Sequence, residues 1–174
     1  MNTLQQLIVD TSTNYIGQKE IIGNLGFIDV EFQQKMEAVG WESKEAWCSY
    51  FAELVLREAY AQLNSEIEAK IRPLFNKSAV TTYNNFRRSE FAQYVTKKAE
   101  PGSVAIFRSA GSTWQGHAGI VLMVKNSEML LVEGNTNSSG GREGIEVAKK
   151  SRLIDFSTKE KGLILIGFIN PIPY

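Results

Sequence analysis

A chain of 174 residues has room for one domain of ordinary size, 1–174, and its 43% apolar and 22% charged residues suit a folded globular protein and argue against a disordered one. Nineteen basic residues offset nineteen acidic ones, so the formal charge is zero, which argues against a protein built to grip nucleic acid through its phosphates. No apolar run approaches the roughly 18 residues of a membrane helix, and the N-terminal Met-Asn-Thr-Leu-Gln-Gln-Leu has neither the basic head nor the apolar stretch of a secretory signal.

The first half reads helical. Leu4, Leu7, Ile8 and Tyr15 follow helical spacing behind Asn2 or Thr3 as N-cap. Asp29 is placed to cap a second short helix, whose stripe of Phe32, Met36 and Val39 stops at Gly40. A third helix is expected to start near Ser43 to Ala46 and to run through Trp47, Phe51, Leu54 and Val55. It then either continues or breaks near Asn64, with Ile67 and Ile71 following, and Pro73 marks the end. The segment Asn76 to Arg88 is polar without a clear period and reads as a loop, and a short helix is expected over Glu90 to Lys98. After Pro101-Gly102 the pattern turns to strands: Val104 to Phe107, Ala118 to Val124, Met129 to Glu133, Ile145 to Val147 and Leu163 to Ile169, joined by glycine-rich turns such as Ser138-Ser139-Gly140-Gly141. Helices followed by short-linked strands predict an α+β domain, with N-terminal helices packed on one face of a C-terminal antiparallel sheet.

The chain has one cysteine, Cys48, and one histidine, His117. That excludes an intramolecular disulfide and a four-cysteine zinc site, and no CxxC or HxxxH pair suggests a metal, so no metal or cofactor is expected. A lone thiol and a lone imidazole are the minimum equipment for thiol nucleophilic catalysis. Cys48 falls at or just inside a helix start, where unpaired N–H groups and the helix dipole favour a thiolate. The same residue also reads as a small buried side chain among Ala52, Val55 and Ala59. His117 opens an apolar strand between Gly116 and Gly119. Glu133 ends another apolar strand, where a buried carboxylate needs a partner; on a neighbouring strand it would fix the tautomer of His117. Asn135, two residues on, competes for that orienting role. Trp41, Trp47 and Trp114 flank these positions; Trp114 and Trp47 are candidates to contact substrate, although tryptophan is more often core.

Four segments, Trp47-Cys48-Ser49-Tyr50-Phe51, Pro101-Gly102-Ser103-Val104-Ala105-Ile106-Phe107, Gly116-His117-Ala118-Gly119-Ile120-Val121 and Glu133-Gly134-Asn135, resemble in order and spacing those of CHAP domains. These are cysteine- and histidine-dependent amidohydrolases and peptidases, relatives of NlpC-type and papain-like enzymes. The resemblance spans Trp47 to Asn135. It implies a papain-like fold and hydrolysis of an amide bond in peptidoglycan, as endopeptidase or N-acetylmuramoyl-L-alanine amidase. Cys48 is then the nucleophile, His117 the general base, Glu133 the residue orienting it and Asn135 a supporting polar group. The implied partner is a peptidoglycan stem peptide or cross-bridge at the bacterial cell wall, reached by lysis (as an endolysin) or by secretion as an antibacterial toxin. In the toxin case an immunity protein would plug the Cys48 cleft. Arg87-Arg88, otherwise a solvated pair, would then be placed to meet an acidic stem peptide. Two departures stand out: Ser103 takes a place where the family often has Asp, and no acidic calcium-loop cluster is visible. Cleavage of a protein target, or a non-catalytic binding module on the same fold, are the alternatives.

Overall fold

Asn2 opens helix α1 (Thr3–Asn14) through a reciprocal capping box: its side chain accepts from the Gln5 N–H while the Gln5 side chain accepts from the Asn2 N–H. The computed structural model describes residues 1–137 and 144–174. A hairpin of two very short strands, β1 (Glu20–Ile21) and β2 (Gly26–Phe27), follows and was not foreseen. Asp29 caps α2 (Val30–Ala38) by accepting from Phe32 N–H, and Phe32 and Met36 are the buried face of that helix, as their spacing predicts.

Helix α3 (Cys48–Ala61) is the centre of the molecule, buried on nearly every side. It begins at Cys48, later than the Ser43–Ala46 start expected. Lys44 sits at φ 76° and Trp47 at φ −118°, ψ 10°, so the backbone just upstream is non-helical and the helix lacks a side-chain cap. Its continuation is a separate short helix, α4 (Ile67–Ile71), ended by a 3-10 turn that contains Pro73.

Two expectations are corrected here. Residues 76–88 are not a loop: Ser78 accepts from Thr81 N–H and starts α5 (Ala79–Arg87), whose inner face is Ala79, Val80, Thr82, Tyr83 and Phe86. Thr82 is buried but polar, bonded to the Asn76 backbone, which hides the helical stripe from a hydrophobicity reading. Residues 90–98 are not a helix: after a single 3-10 turn at 92–94 the chain forms β3 (Val95–Thr96), two β-branched residues that add to the edge of the main sheet.

The remaining strands are β4 (Val104–Ser109), β5 (Gly116–Lys125), β6 (Glu128–Thr136), β7 (Glu146–Leu153) and β8 (Leu163–Ile169). With β3 they make one antiparallel sheet in the order β3-β8-β4-β5-β6-β7. Strand β7 runs well beyond the Ile145–Val147 expected, and the turn expected at Ser138–Gly141 lies outside the described residues. Alternation splits the sheet's side chains. Val104, Ile106, Ala118, Ile120 and Val132 join the helices in one core, while Phe107, Val121, Leu131, Leu165 and Phe168 form a second on the opposite face. The α+β class, with helices against an antiparallel sheet, is therefore as expected. Among the described residues no helix is long and apolar enough to cross a membrane.

One tight junction is where β6 crosses the start of α3. A Cβ at Gly134 would lie 2.7 Å from Phe51 Cβ and 2.7 Å from Trp47 Cζ3, so only glycine fits without moving the helix. Gly134→Ala is expected to lower stability by about 2–3 kcal/mol, as overpacking does. A thermal melt reads this as a fall of roughly 5–10 °C for a chain of this size; an unchanged Tm would show that the helix start yields freely.

Candidate active site

Cys48 is the first residue of α3, facing His117 near the start of β5, and is only 5% exposed. Burial pushes its thiol up. The charge of His117 and a hydrogen bond to it, with further N–H bonds from the Ala118 and Ser49 backbone, pull it down further, and the net result lies below the ordinary thiol value. The thiolate therefore rests on backbone donors from both the helix start and the strand.

His117 uses its two nitrogens differently. Nε2 lies 2.9 Å from Glu133 Oε2, which leaves Nδ1 for Cys48. Burial drives the imidazole down, but the Cys48 and Glu133 charges and hydrogen bonds outweigh it and raise it to about 10. Each charge favours the other, the imidazole lowering the thiol and the thiol raising the imidazole, which biases the pair toward thiolate and imidazolium.

Glu133 is fully buried and saturated with donors. Besides His117 it accepts from Thr136 Oγ1 at 3.2 Å and, as a fork, from Arg152 Nε at 2.5 Å and Nη2 at 2.8 Å. Burial raises this carboxyl, yet the Arg152 bonds and the His117 charge hold it down at about 2. The guanidinium of Arg152 lies 5.0 Å from the Phe107 ring centre, which fixes it from the other side. The result is a row of alternating charge, thiolate, imidazolium, carboxylate and guanidinium. A buried Glu in an apolar strand demands a partner, but nothing in the sequence marks Arg152 rather than its neighbours Lys149 and Lys150 as the cation that supplies it.

Local sequence explains why the row fits. A Cβ at Gly119 would come 2.7 Å from Glu133 Cγ, so the glycine after His117-Ala118 is what makes room for the carboxylate. Beyond Glu133 the strand bulges, with Asn135 in the left-handed region at φ 53°, a conformation asparagine tolerates. The Asn135 amide bonds to backbone groups and not to the His117 ring. With its amide oriented to satisfy both neighbours, Nδ2 donates to Gly144 O at 2.7 Å and Oδ1 accepts from the Trp47 N–H at 3.3 Å. Glu133 thus orients His117, and Asn135 supports the backbone just ahead of the nucleophile.

Trp47 is a correction. It is completely buried, its Nε1–H donates to Glu20 Oε2 at 2.5 Å, and the rings of Phe27, Phe32 and Phe51 surround it, so it cannot line a substrate groove. Its role is to anchor the residue that precedes Cys48, with the buried Glu20 as its unforeseen partner. Trp41 is also core, with its indole N–H on Glu45 O. Trp114, by contrast, is 62% exposed in the loop before β5, its carbonyl held by Ser78 Oγ at 2.6 Å, and is free to meet a ligand. Ser103 serves a turn: its hydroxyl accepts from Glu100 N–H and donates to Asn170 Oδ1. Among the described residues no three His, Cys, Asp or Glu converge as metal ligands.

The charge state makes a pH prediction. At about pH 6 an ordinary thiol of pKa ~8.5 is only about 0.3% thiolate, whereas Cys48, held below the ordinary thiol value, is expected to react with iodoacetamide there well above the rate of such a thiol. His117→Gln removes the opposing charge, leaves burial dominant, and is expected to slow that acid-side reaction by at least about tenfold. Equal rates for the two proteins would show that His117 does not hold the thiolate. No family model, curated protein or solved structure matches this chain.

Proposed function

We propose that the protein is a cysteine amidohydrolase of the CHAP kind, on a papain-like fold, that cleaves an amide bond of the peptidoglycan peptide as endopeptidase or N-acetylmuramoyl-L-alanine amidase. The observation that carries this reading is the continuous Cys48–His117–Glu133 row at the start of a buried helix, in which His117 bonds both the thiol and the carboxylate and shifts the thiol below its ordinary value. The motifs around these three residues, in the family's order, support the choice of substrate.

In the mechanism, Cys48 Sγ attacks the scissile carbonyl carbon. The oxygen becomes an oxyanion beside the unpaired N–H groups of the helix start, of which Cys48 N–H is the nearest by position. His117, already an imidazolium, gives its Nδ1 proton to the leaving amine as the C–N bond breaks, leaving a thioester on Cys48. Neutral His117 then takes a proton from water, whose oxygen attacks the thioester carbonyl. Release of the carboxylic acid restores the thiolate and the imidazolium. Glu133, pinned by Arg152, keeps Nε2–H and so keeps Nδ1 aimed at sulfur throughout.

The test is digestion of purified peptidoglycan from several wall types, with the products identified by mass spectrometry. New stem-peptide or cross-bridge termini, blocked by alkylation of Cys48, are expected; the position of the new amine separates amidase from endopeptidase. A reactive Cys48 with no wall product would move the substrate to a protein target. An unreactive Cys48 would leave a binding module. If the enzyme acts as a secreted toxin, an immunity protein covering Cys48 is its expected partner.

A further inference from the structure

A groove of about 660 Å³ lies between α5 and strands β3, β4 and β8, and three cations border it: Arg87, Lys97 and Arg108. Among the described residues no Asp or Glu lines it. Elsewhere Lys35, Arg57, Lys77 and Arg152 each sit on a carboxylate. Among the described residues no carboxylate pairs with the groove cations: Arg87 lies over the Tyr83 ring, Lys97 Nζ donates to Ile166 O at 2.8 Å and lies over Phe156, and Arg108 Nη1 donates to Ser112 O at 3.0 Å. Backbone and ring contacts fix where these side chains point without neutralising them. A chain of zero net charge therefore gathers uncompensated positive charge around one concavity.

That concavity adjoins the thiol site. Thr113 and Val80 are among its lining residues, and Val80 Cγ2 is so close to Gly116 that a Cβ there would meet it at 2.9 Å. Arg108 pairs across the sheet with Gly116, the residue before His117, and the exposed Trp114 lies between Thr113 and Gly116. Adjacent residues of β4 and β5 thus tie the groove to His117.

We propose that the groove binds a carboxylate-bearing stretch of the peptide substrate, with Arg87, Lys97 and Arg108 as its charge contacts; this rests on the amide-hydrolase reading of Cys48 and His117. Stem peptides suit it chemically, because they carry free α-carboxylates at a γ-linked glutamate and at the C-terminus, spaced along an extended chain. Charge-assisted bonds from two arginines to such groups discriminate against the corresponding carboxamides, which bear no charge to match.

The experiment measures equilibrium binding of the synthetic peptide L-alanyl-γ-D-glutamyl-L-lysyl-D-alanine, and of the same peptide with both carboxylates amidated, to full-length Cys48→Ala protein. The acid form is expected to bind at least about tenfold more tightly, and raised salt is expected to erase most of the difference. Arg87→Gln and Arg108→Gln should each weaken binding of the acid form by about three- to tenfold and leave the amidated form unchanged. Arg88→Gln, the same charge change one residue outside the groove, should leave both unchanged. Equal binding of acid and amide overturns the proposal, as does an Arg88→Gln loss equal to that of Arg87→Gln, which would mean only long-range charge. Tighter binding of a poly(glycerol phosphate) chain than of the acid peptide, lost in Arg87→Gln, would overturn it in favour of a phosphate polymer. Digestion of purified peptidoglycan by the wild type separates the two readings. Groove-dependent peptide binding with no wall product sinks the wall-hydrolase reading and keeps the groove, whereas wall cleavage with equal binding of acid and amide does the reverse.

Discussion

Cys48→Ala is expected to lower amide hydrolysis by at least about 10⁴-fold, the scale on which removing a catalytic nucleophile acts, while moving Tm by no more than about 4 °C. The large effect follows because nothing nearby can replace the thiol. It is the chain's only cysteine, and the next hydroxyl, Ser49 Oγ, is turned away into bonds with Asn76 O at 2.6 Å and Thr82 Oγ1 at 3.2 Å. The small stability effect follows from two opposed changes. Losing one buried sulfur leaves a minor void, about 1 kcal/mol, while losing a desolvated thiolate relieves a buried charge. The variant should also lower the proton affinity of His117, since Cys48 is among the charges that raise it. Retained hydrolysis by a folded Cys48→Ala protein would remove the nucleophile from the mechanism. A loss of both activity and cooperative melting would mean that the residue is chiefly structural, as its buried place beside Ala52 and Val55 also allows.

The elements legible in the sequence are those whose own residues carry the signal. Asn2 and Asp29 announce α1 and α2 through caps, and the apolar cores of β4, β5, β6 and β8 announce strands because both their faces are buried. Helix α5 was hidden because Thr82 satisfies its hydroxyl on backbone and counts as polar while lying at the core. Strand β7 was read short because its outer half, Lys149-Lys150-Ser151-Arg152, is mostly charged, and only pairing with β6 makes it a strand. The site divides in the same way. Cys48 and His117 are legible because each is the chain's only residue of its type, and Glu133 because a carboxylate in an apolar strand has to be explained. Arg152, Glu20 and the true place of Asn135 were not, since each depends on a partner far away in the chain. Trp47 was misassigned for a related reason: adjacency to a nucleophile does not reveal whether an indole points to solvent or to Phe27 and Glu20.

Glu133→Gln is the second large effect, and it acts on activity and stability together. The amide keeps the shape but not the charge and exchanges one acceptor oxygen for a donor NH2, so Arg152 loses its counter-charge and competes with His117 Nε2–H for the single oxygen left. Loss of such an orienting carboxylate is expected to reduce kcat by about 10³–10⁴-fold, and breaking a buried ion pair costs about 3–5 kcal/mol. The pH dependence has a definite direction. The Glu133 carboxyl is held at about 2 in the fold, below the ~4.3 of an unfolded chain. Its contribution is therefore complete above that unfolded value and is lost as pH falls towards about 2; Glu133→Gln should melt early at neutral pH and lose much of this acid sensitivity. Pairing the change with Arg152→Met separates the two roles. Removing both charges should recover stability relative to Glu133→Gln alone, because no unpaired charge stays buried, yet kcat should stay low. That split would identify Glu133 as the positioning residue for His117. Recovery of kcat along with Tm would instead mean that the carboxylate serves only to neutralise Arg152, and that Cys48 holds the imidazole in place unaided.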